Sequence, residues 1–453
     1  MDKELTKNLA MMLKDPFYLK YHLMPPGGWL NDPNGLCQMD DTIHIFYQYA
    51  YNPNGGLKHW GHYTTKDYVN YKDEGITLYP DVYTEKDGVY SGAAFVENGM
   101  HLFYTGNVKF PGKHDYIHSG RGAFINYVYS KDGMTFSKKE TLLSNINYPA
   151  DMTCHVRDPK IIEKNGLYSM VLGARDNNDV GCALVYNSLD LKNWKYAYRI
   201  DTETPFGYMW ECPDLETVDG QDFLITCPQG IQQDGYKYEN KDSNGYFKVD
   251  GKLAYDYQVL DYGYDYYAPQ CFRDSKNRLI SIAWMGIPDI PYKNPTVENG
   301  WQMALTLPRV ITNVNGELYQ YPVEEILSLR KERKEVVLDS NPISLEKTCW
   351  IQFQNEKKDF HIRLGNLGLS YENALFTLSY LCDGYGRTSR HIEIEKMEVF
   401  EIFMDTSCFE IFINKGQKVM TCRNYSLEDL TIESNSPIAM QYAGMNSFHI
   451  QYK

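Results

Sequence analysis

The chain has 453 residues, with 45 lysines and arginines against 59 aspartates and glutamates, a formal net charge of −14. That balance excludes a nucleic-acid footprint and polybasic attachment to a membrane, and no run of about 18 apolar residues is present to cross a bilayer. The ten cysteines never fall into the C-x-x-C spacing of a zinc knuckle or redox pair, and they read as reduced, buried small hydrophobes.

In chain order, segment 1–20 carries Asp2, Glu4 and Asp15 and lacks the apolar centre of a secretion signal. It reads as an N-terminal extension, helical to about Tyr18, on a protein of the cytoplasm. Next comes Trp29-Leu30-Asn31-Asp32-Pro33-Asn34-Gly35. Pro33 and Gly35 force a tight turn, because Pro fixes φ and Gly permits positive φ, and Pro33 biases Asp32 toward an extended backbone. Two later stretches also set an acid beside a Pro or an aromatic, ahead of an apolar run: Arg157-Asp158-Pro159 and Trp210-Glu211-Cys212-Pro213.

Strand-like runs recur at 43–49, 101–105, 167–173, 222–227 and 279–285, with starts about 55 to 65 residues apart, the length of a four-stranded sheet. A second pattern repeats with them: Thr65-x-Asp67 before Tyr71, Ser130-x-Asp132 before Phe136, and Ser188-x-Asp190 before Trp194. Such pairs suit turns that close on their own backbone. Long helical periodicities are missing here, so the expectation for 21–320 is a five-bladed β-propeller. Asp32, Ser91, Asp158, Glu211 and Tyr267 each precede one run by about ten residues, hence at equivalent places in the repeat. If the strands that carry them are the inner ones, all five side chains meet at one end of the axis.

Pro322–Glu335 reads as a helical linker over 321–336, with Val323, Ile326 and Leu327 on one face. Alternation then returns at Phe360-x-Ile362-x-Leu364, Ile392-x-Ile394 and Phe409-x-Ile411-x-Ile413, which predicts a β-sandwich over 337–453. The whole is an all-β protein.

Convergent carboxylates suggest glycoside hydrolysis, in which one carboxyl protonates the leaving oxygen and another attacks or activates water. Asp32, between Asn31 and a turn backbone, suits an ionised nucleophile held by hydrogen-bond donors. Glu211 follows Trp210, whose bulk is expected to desolvate it, as an acid/base requires. Asp158 beside Arg157 is expected to be strongly ionised and to stabilise positive charge. Around the site, Lys109, Lys113, His114, His118 and Arg121 form a basic island, and Lys58 and His59 flank Trp60. Either group is a candidate contact for a phosphorylated sugar.

The chain resembles glycoside hydrolase family 32, the β-fructosidases, on motifs that run nearly its full length. These are Trp29–Gly35, Trp60-Gly61-His62, Tyr90-Ser91-Gly92, Phe103–Asn107, Arg157–Pro159, Glu211-Cys212, Tyr266–Gln270, Gly300-Trp301, Leu307-Pro308-Arg309 and Asp405–Glu410. Departures such as Leu30, Tyr90, Ala93 and Val156, where the family favours Met, Phe, Ser and Phe, touch supporting positions. The resemblance implies a propeller followed by a sandwich and a retaining mechanism, with Asp32 as nucleophile, Glu211 as acid/base and Asp158 as transition-state stabiliser. It implies a fructosyl pocket lined by Asn31, Gln48, Trp60, Ser91, Arg157 and Tyr267, with Trp29 as its wall. No metal or organic cofactor is implied. The substrates implied are small sugars, sucrose-6-phosphate first and sucrose or short fructans second, for a monomer or homodimer. The rival readings are a fructosyltransferase on the same acids, an inverting glycosidase, and a non-catalytic carbohydrate-binding propeller.

Overall fold

A computed structural model describes residues 9–355 and 359–453 of the protein. It is almost wholly β-structure. Between Gly28 and Pro322, successive antiparallel sheets open with the strands Gly28–Met39, Val89–Val96, Met152–Lys164, Met209–Val218 and Tyr267–Arg273. Each pairs with a second strand, Thr42–Ala50, Met100–Lys109, Leu167–Asp176, Gln221–Gln229 or Leu279–Met285, and these second strands contain the apolar runs read from the sequence. They are buried on both faces because neighbouring sheets pack on either side, as the continuous apolar character of Leu279–Met285 reflects.

The opening strands close into a ring. Gly28–Met39 lies against Val89–Val96 on one side and Tyr267–Arg273 on the other, with Met152–Lys164 and Met209–Val218 completing the circle. Each opening strand carries a one-residue bulge: Leu30 to Pro33, Val89 to Gly92, Arg157 to Lys160, Glu211 to Asp214, and Tyr267 to Gln270. The five equivalent residues of the sequence reading all fall on these bulges, though not in one register. Glu211 and Tyr267 begin theirs, Asp158 is one residue in, and Asp32 and Ser91 are two residues in.

The Ser/Thr-x-Asp repeats are turns of one kind. Asp67 accepts from the N–H groups of Val69 and Asn70, Asp132 from Met134 and Thr135, and Asp190 from Lys192 and Asn193. Those donors hold all three carboxyls below their ordinary range.

The helix expected over Pro322–Glu335 is only Glu324–Leu327. Pro322 ends the preceding strand, and Lys334 already begins the next, so a single turn bridges them. Val323 and Ile326 are buried, which explains the helix-like spacing: it marks one packed turn and not an amphipathic rod. Of the N-terminal segment, 1–8 lie outside the described residues, while 9–12 form a helical turn. Its Met12 belongs to one buried cluster with Met285, Trp301, Cys408 and Tyr425.

From Lys334 onward two six-stranded sheets share one core. Phe360–Leu364 alternates buried and exposed as read, but Cys408–Ile413 is buried throughout. Phe409 and Ile411 face the core between the two sheets, while Phe412 joins the core of the ring of sheets. The interface also buries ions. Arg309 donates to Glu410 and Asp261, and Arg387 to Asp265. His22 bridges Asp405 (2.9 Å) and Glu410 (3.2 Å). Ligand atoms of His22, Asp405 and Cys408 lie within 4.8 Å of one another, but both imidazole nitrogens are taken up by carboxylates, so the group is an ion pair. The last strand, His449–Gln451, leaves these sheets and pairs in parallel with Asn70–Lys72 on the outer edge of the first sheet. The segment expected to form only the sandwich thus contributes a strand elsewhere.

Candidate active site

Bulges re-aim side chains, and here they bring side chains of different sheets together. Asp158 (φ 61°), Cys212 (φ 48°) and Ala268 (φ 49°) all adopt left-handed backbone, and Pro159, Pro213 and Pro269 follow them. Non-glycine residues in this region are uncommon and gather at functional sites.

Two clusters of hydrogen bonds result. In the first, Asp32 accepts from Asn31 Nδ2 (3.0 Å), from Gln48 Nε2 (3.3 Å) and from the Ser91 hydroxyl. Gln48 also donates to Ser91, and Trp29 Nε1 donates to Asn31 Oδ1 (2.8 Å), which orients the amide. In the second, Glu211 accepts from the Arg157 guanidinium, from the Tyr267 hydroxyl (2.7 Å) and from Gln229 Nε2 (2.9 Å). Asp158 stands between the clusters. It accepts from the Cys212 N–H (3.0 Å), and the Cys212 sulfur lies 3.7 Å from Asp158 and 3.9 Å from Asp32.

Burial pushes the Asp32 carboxyl up from its ordinary value, although Ser91 and Asn31 pull it back and Lys58 opposes the push from Glu211. The expected donors are present, but desolvation outweighs them. Burial likewise pushes Asp158 up to about 7, against the pull of Arg157 and with a further push from Glu211. The expectation of a strongly ionised Asp158 is therefore corrected: the Arg157 fork turns to Glu211 and leaves its Nε 3.9 Å from Asp158. The desolvation expected from Trp210 is also absent. Strand alternation sends that ring into the core against Phe247, while Glu211 turns to Arg157 and Tyr267 and keeps 16% of its side chain exposed.

The structure thus brings Trp29, Asn31, Asp32, Gln48, Ser91, Arg157, Asp158, Glu211 and Tyr267 together. Trp60 is different: its ring is buried against Phe46 and Tyr104, and its Nε1 donates to the Tyr90 carbonyl, so it supports the strand behind Ser91. Sequence reading missed Gln229, His155 and Thr105. Gln229 sits at the end of the second strand of its sheet, reached only through the register that pairs Met209 with it. His155 accepts from Arg157 at 2.6 Å and, buried beside that cation, is pushed down to about 2, hence neutral. The Thr105 hydroxyl accepts from the Asp158 N–H and fixes the bulge. Gln229 and His155 carry no local motif, and Thr105, inside the motif at 103–107, shows its role only through the bulge it meets.

Carboxylates gathered by the opening strands of an all-β ring define a glycosidase. The sequence profile of the Glycosyl hydrolases family 32 N-terminal domain matches residues 22–322. A sucrose-6-phosphate hydrolase of Bacillus subtilis (strain 168) is 35% identical over 451 residues, covering 93% of this chain and 92% of that one. Among solved structures, a sucrose-6-phosphate hydrolase from Lactobacillus gasseri superposes with a TM-score of 0.90 at 28% identity, covering 99% of this chain and 97% of that one. A Bombyx mori family 32 beta-fructofuranosidase in complex with sucrose gives 0.87 at 26% identity, covering 99% and 98%. The chain belongs to glycosyl hydrolase family 32, the retaining β-fructofuranosidases.

Proposed function

We propose that this enzyme hydrolyses the β-fructofuranosyl bond of sucrose-6-phosphate, and of sucrose more slowly, by double displacement. The observation that carries the reading is the pair of hydrogen-bonded clusters, one around Asp32 and one around Glu211, with Asp158 between them. Asp32 attacks the anomeric carbon of the fructosyl unit, and the bond to the glucosyl oxygen breaks as Glu211 gives that oxygen its proton. Glu211, now a carboxylate, takes a proton from water. The resulting hydroxide attacks the same carbon, releasing fructose and restoring Asp32. Asp158 stabilises the positive charge that develops on the ring. Asn31, Gln48, Ser91, Arg157 and Tyr267 orient the acids and the sugar hydroxyls, and Trp29 offers an apolar wall.

In this reading the opening strands are the inner strands of a five-bladed β-propeller over 21–320. A linker over 321–336 leads to a β-sandwich over 337–453 that buttresses the propeller. A cytoplasmic setting is supported by the free state of all ten cysteines. The test is kcat/KM on sucrose-6-phosphate, sucrose and a short fructan measured side by side. Preference for the phosphosugar is expected. Equal or better rates on sucrose or fructan would make the enzyme a general β-fructosidase, and failure to release fructose from any of them would overturn the reading.

A further inference from the structure

A phosphosugar brings a dianion to an acidic protein, so the pocket needs a cation that is not already committed. Most cations near the site are committed. Arg157 is held by Glu211 and His155, Arg175 by Asp179, and Lys160 by Asp214 and Glu216. In the basic island, Arg121 donates to Asn107 Oδ1 (2.7 Å) and to the Tyr116 carbonyl (3.2 Å). The same loop contains Asp115, which pairs with His118 and collects the N–H groups of Ile117, His118 and Ser119. Arg121 and His118 are thus engaged within the island, and Lys109 Nζ lies 5.7 Å over the ring of Tyr116 in the same loop.

Lys58 is different. Its side chain is half-buried, and among the described residues no carboxylate oxygen lies within ion-pair distance of its ammonium. The nitrogen stands 4.7 Å over the Trp29 ring, the wall that begins two residues before Asn31. It is close enough to Asp32 for each charge to act on the other. Its backbone is tied to the strand that carries Ser91, and the chain around it is close. The Lys58 carbonyl accepts from the Val89 N–H (3.0 Å), ahead of Ser91. A methyl group at Gly88 would lie 3.6 Å from Lys58 Cβ, and one at Gly55 would lie 3.9 Å from the Trp29 ring and 4.0 Å from Lys58 Nζ. A cation braced on an indole face and lacking a counter-ion is a receptor for an anion.

We propose that Lys58 is the specificity residue for the phosphorylated substrate, its ammonium receiving the phosphate dianion of the glucosyl unit that departs from Asp32. The inference rests on the substrate reading above. The ring of Trp29 keeps the ammonium in place when no substrate is bound, so the phosphate meets a positioned charge and not a mobile one. Losing one such charged contact lowers affinity by about 10- to 100-fold.

The experiment measures kcat/KM on sucrose-6-phosphate and sucrose for the wild type, Lys58→Met and Lys58→Arg, with inorganic phosphate as an inhibitor of sucrose cleavage. In Lys58→Met the ratio of the two specificity constants is expected to fall by about 10- to 100-fold, mainly through KM. Lys58→Arg is expected to keep most of the preference, and phosphate is expected to compete with sucrose in the wild type but not in Lys58→Met. Equal losses on both substrates in Lys58→Met would assign the residue to Asp32 alone and overturn the proposal. A wild-type preference that survives Lys58→Met would overturn only the part given to Lys58. A wild type indifferent to the phosphate would overturn the substrate reading itself.

Discussion

At the scale of single residues, the site sets its carboxyls apart by their partners. Glu211 is gripped by Arg157, Tyr267 and Gln229, whereas Asp32 has neutral donors and only Lys58 at a distance. Asp32→Asn is expected to abolish turnover with folding intact, and Glu211→Gln to spare substrates with good leaving groups far more than sucrose. Equal losses on both classes in Glu211→Gln would remove the acid role. Asp158 gives a pH signature. Its folded value, pushed up to about 7, lies above the roughly 3.9 of an unfolded aspartate, so the native state binds more protons between those limits. Its burial therefore costs stability above about pH 7 and ceases to cost it as pH falls toward 4. The Asp158→Asn protein is expected to melt higher than the wild type at pH 8, with the gap closing on acidification; a gap that does not change with pH would contradict the shift.

At the scale of elements, Lys160, Asp214 and Cys271 tie three neighbouring opening strands together where their bulges end. Lys160 lies 3.0 Å from Asp214 and donates to the Cys271 carbonyl, and the Cys271 N–H donates to Asp214 (2.6 Å). Lys160→Met would leave Asp214 buried without its cation, at a cost of roughly 3–5 kcal/mol. Urea unfolding measures this, and an unchanged midpoint would show that the tie carries no stability. The same strands mark how far the sequence could be read. Apolar runs such as Leu279–Met285 were legible because length and composition alone identify a doubly buried strand. The acids were legible because Pro marks Asp32, Asp158 and Cys212-Pro213. The offsets of the bulges were not, since they depend on pairing with strands far along the chain. Trp210 was misread for a related reason: adjacent residues in a strand face opposite ways. Val323, Ile326 and Leu327 imitate a helix because one buried turn has the same spacing.

At the scale of the whole molecule, the buried ions between the ring of sheets and the two C-terminal sheets are expected to make them unfold as one cooperative unit. Burial alone would lower the His22 value, but Cys408, Asp405 and Glu410 outweigh it and raise it well above the ordinary histidine range. A raised histidine contributes stability in full below its unfolded pKa and loses it as pH rises through the folded one. His22→Ala is expected to cost roughly 3 kcal/mol near neutral pH, with the difference from wild type shrinking as the medium becomes alkaline. Two separate melting transitions in the wild type would contradict a single unit.

The pairing of His449–Gln451 with Asn70–Lys72 also bears on how the enzyme is made. A ribosome emits the first sheet, with Asp32 in it, long before it reaches residue 449. Until then the Asn70–Leu78 strand waits with an unpaired edge, the kind of edge that invites association with other chains. Asp32, the first of the three acids to be made, is thus housed in a sheet completed last. Nascent chains stalled short of residue 449 would be the ones that need a chaperone.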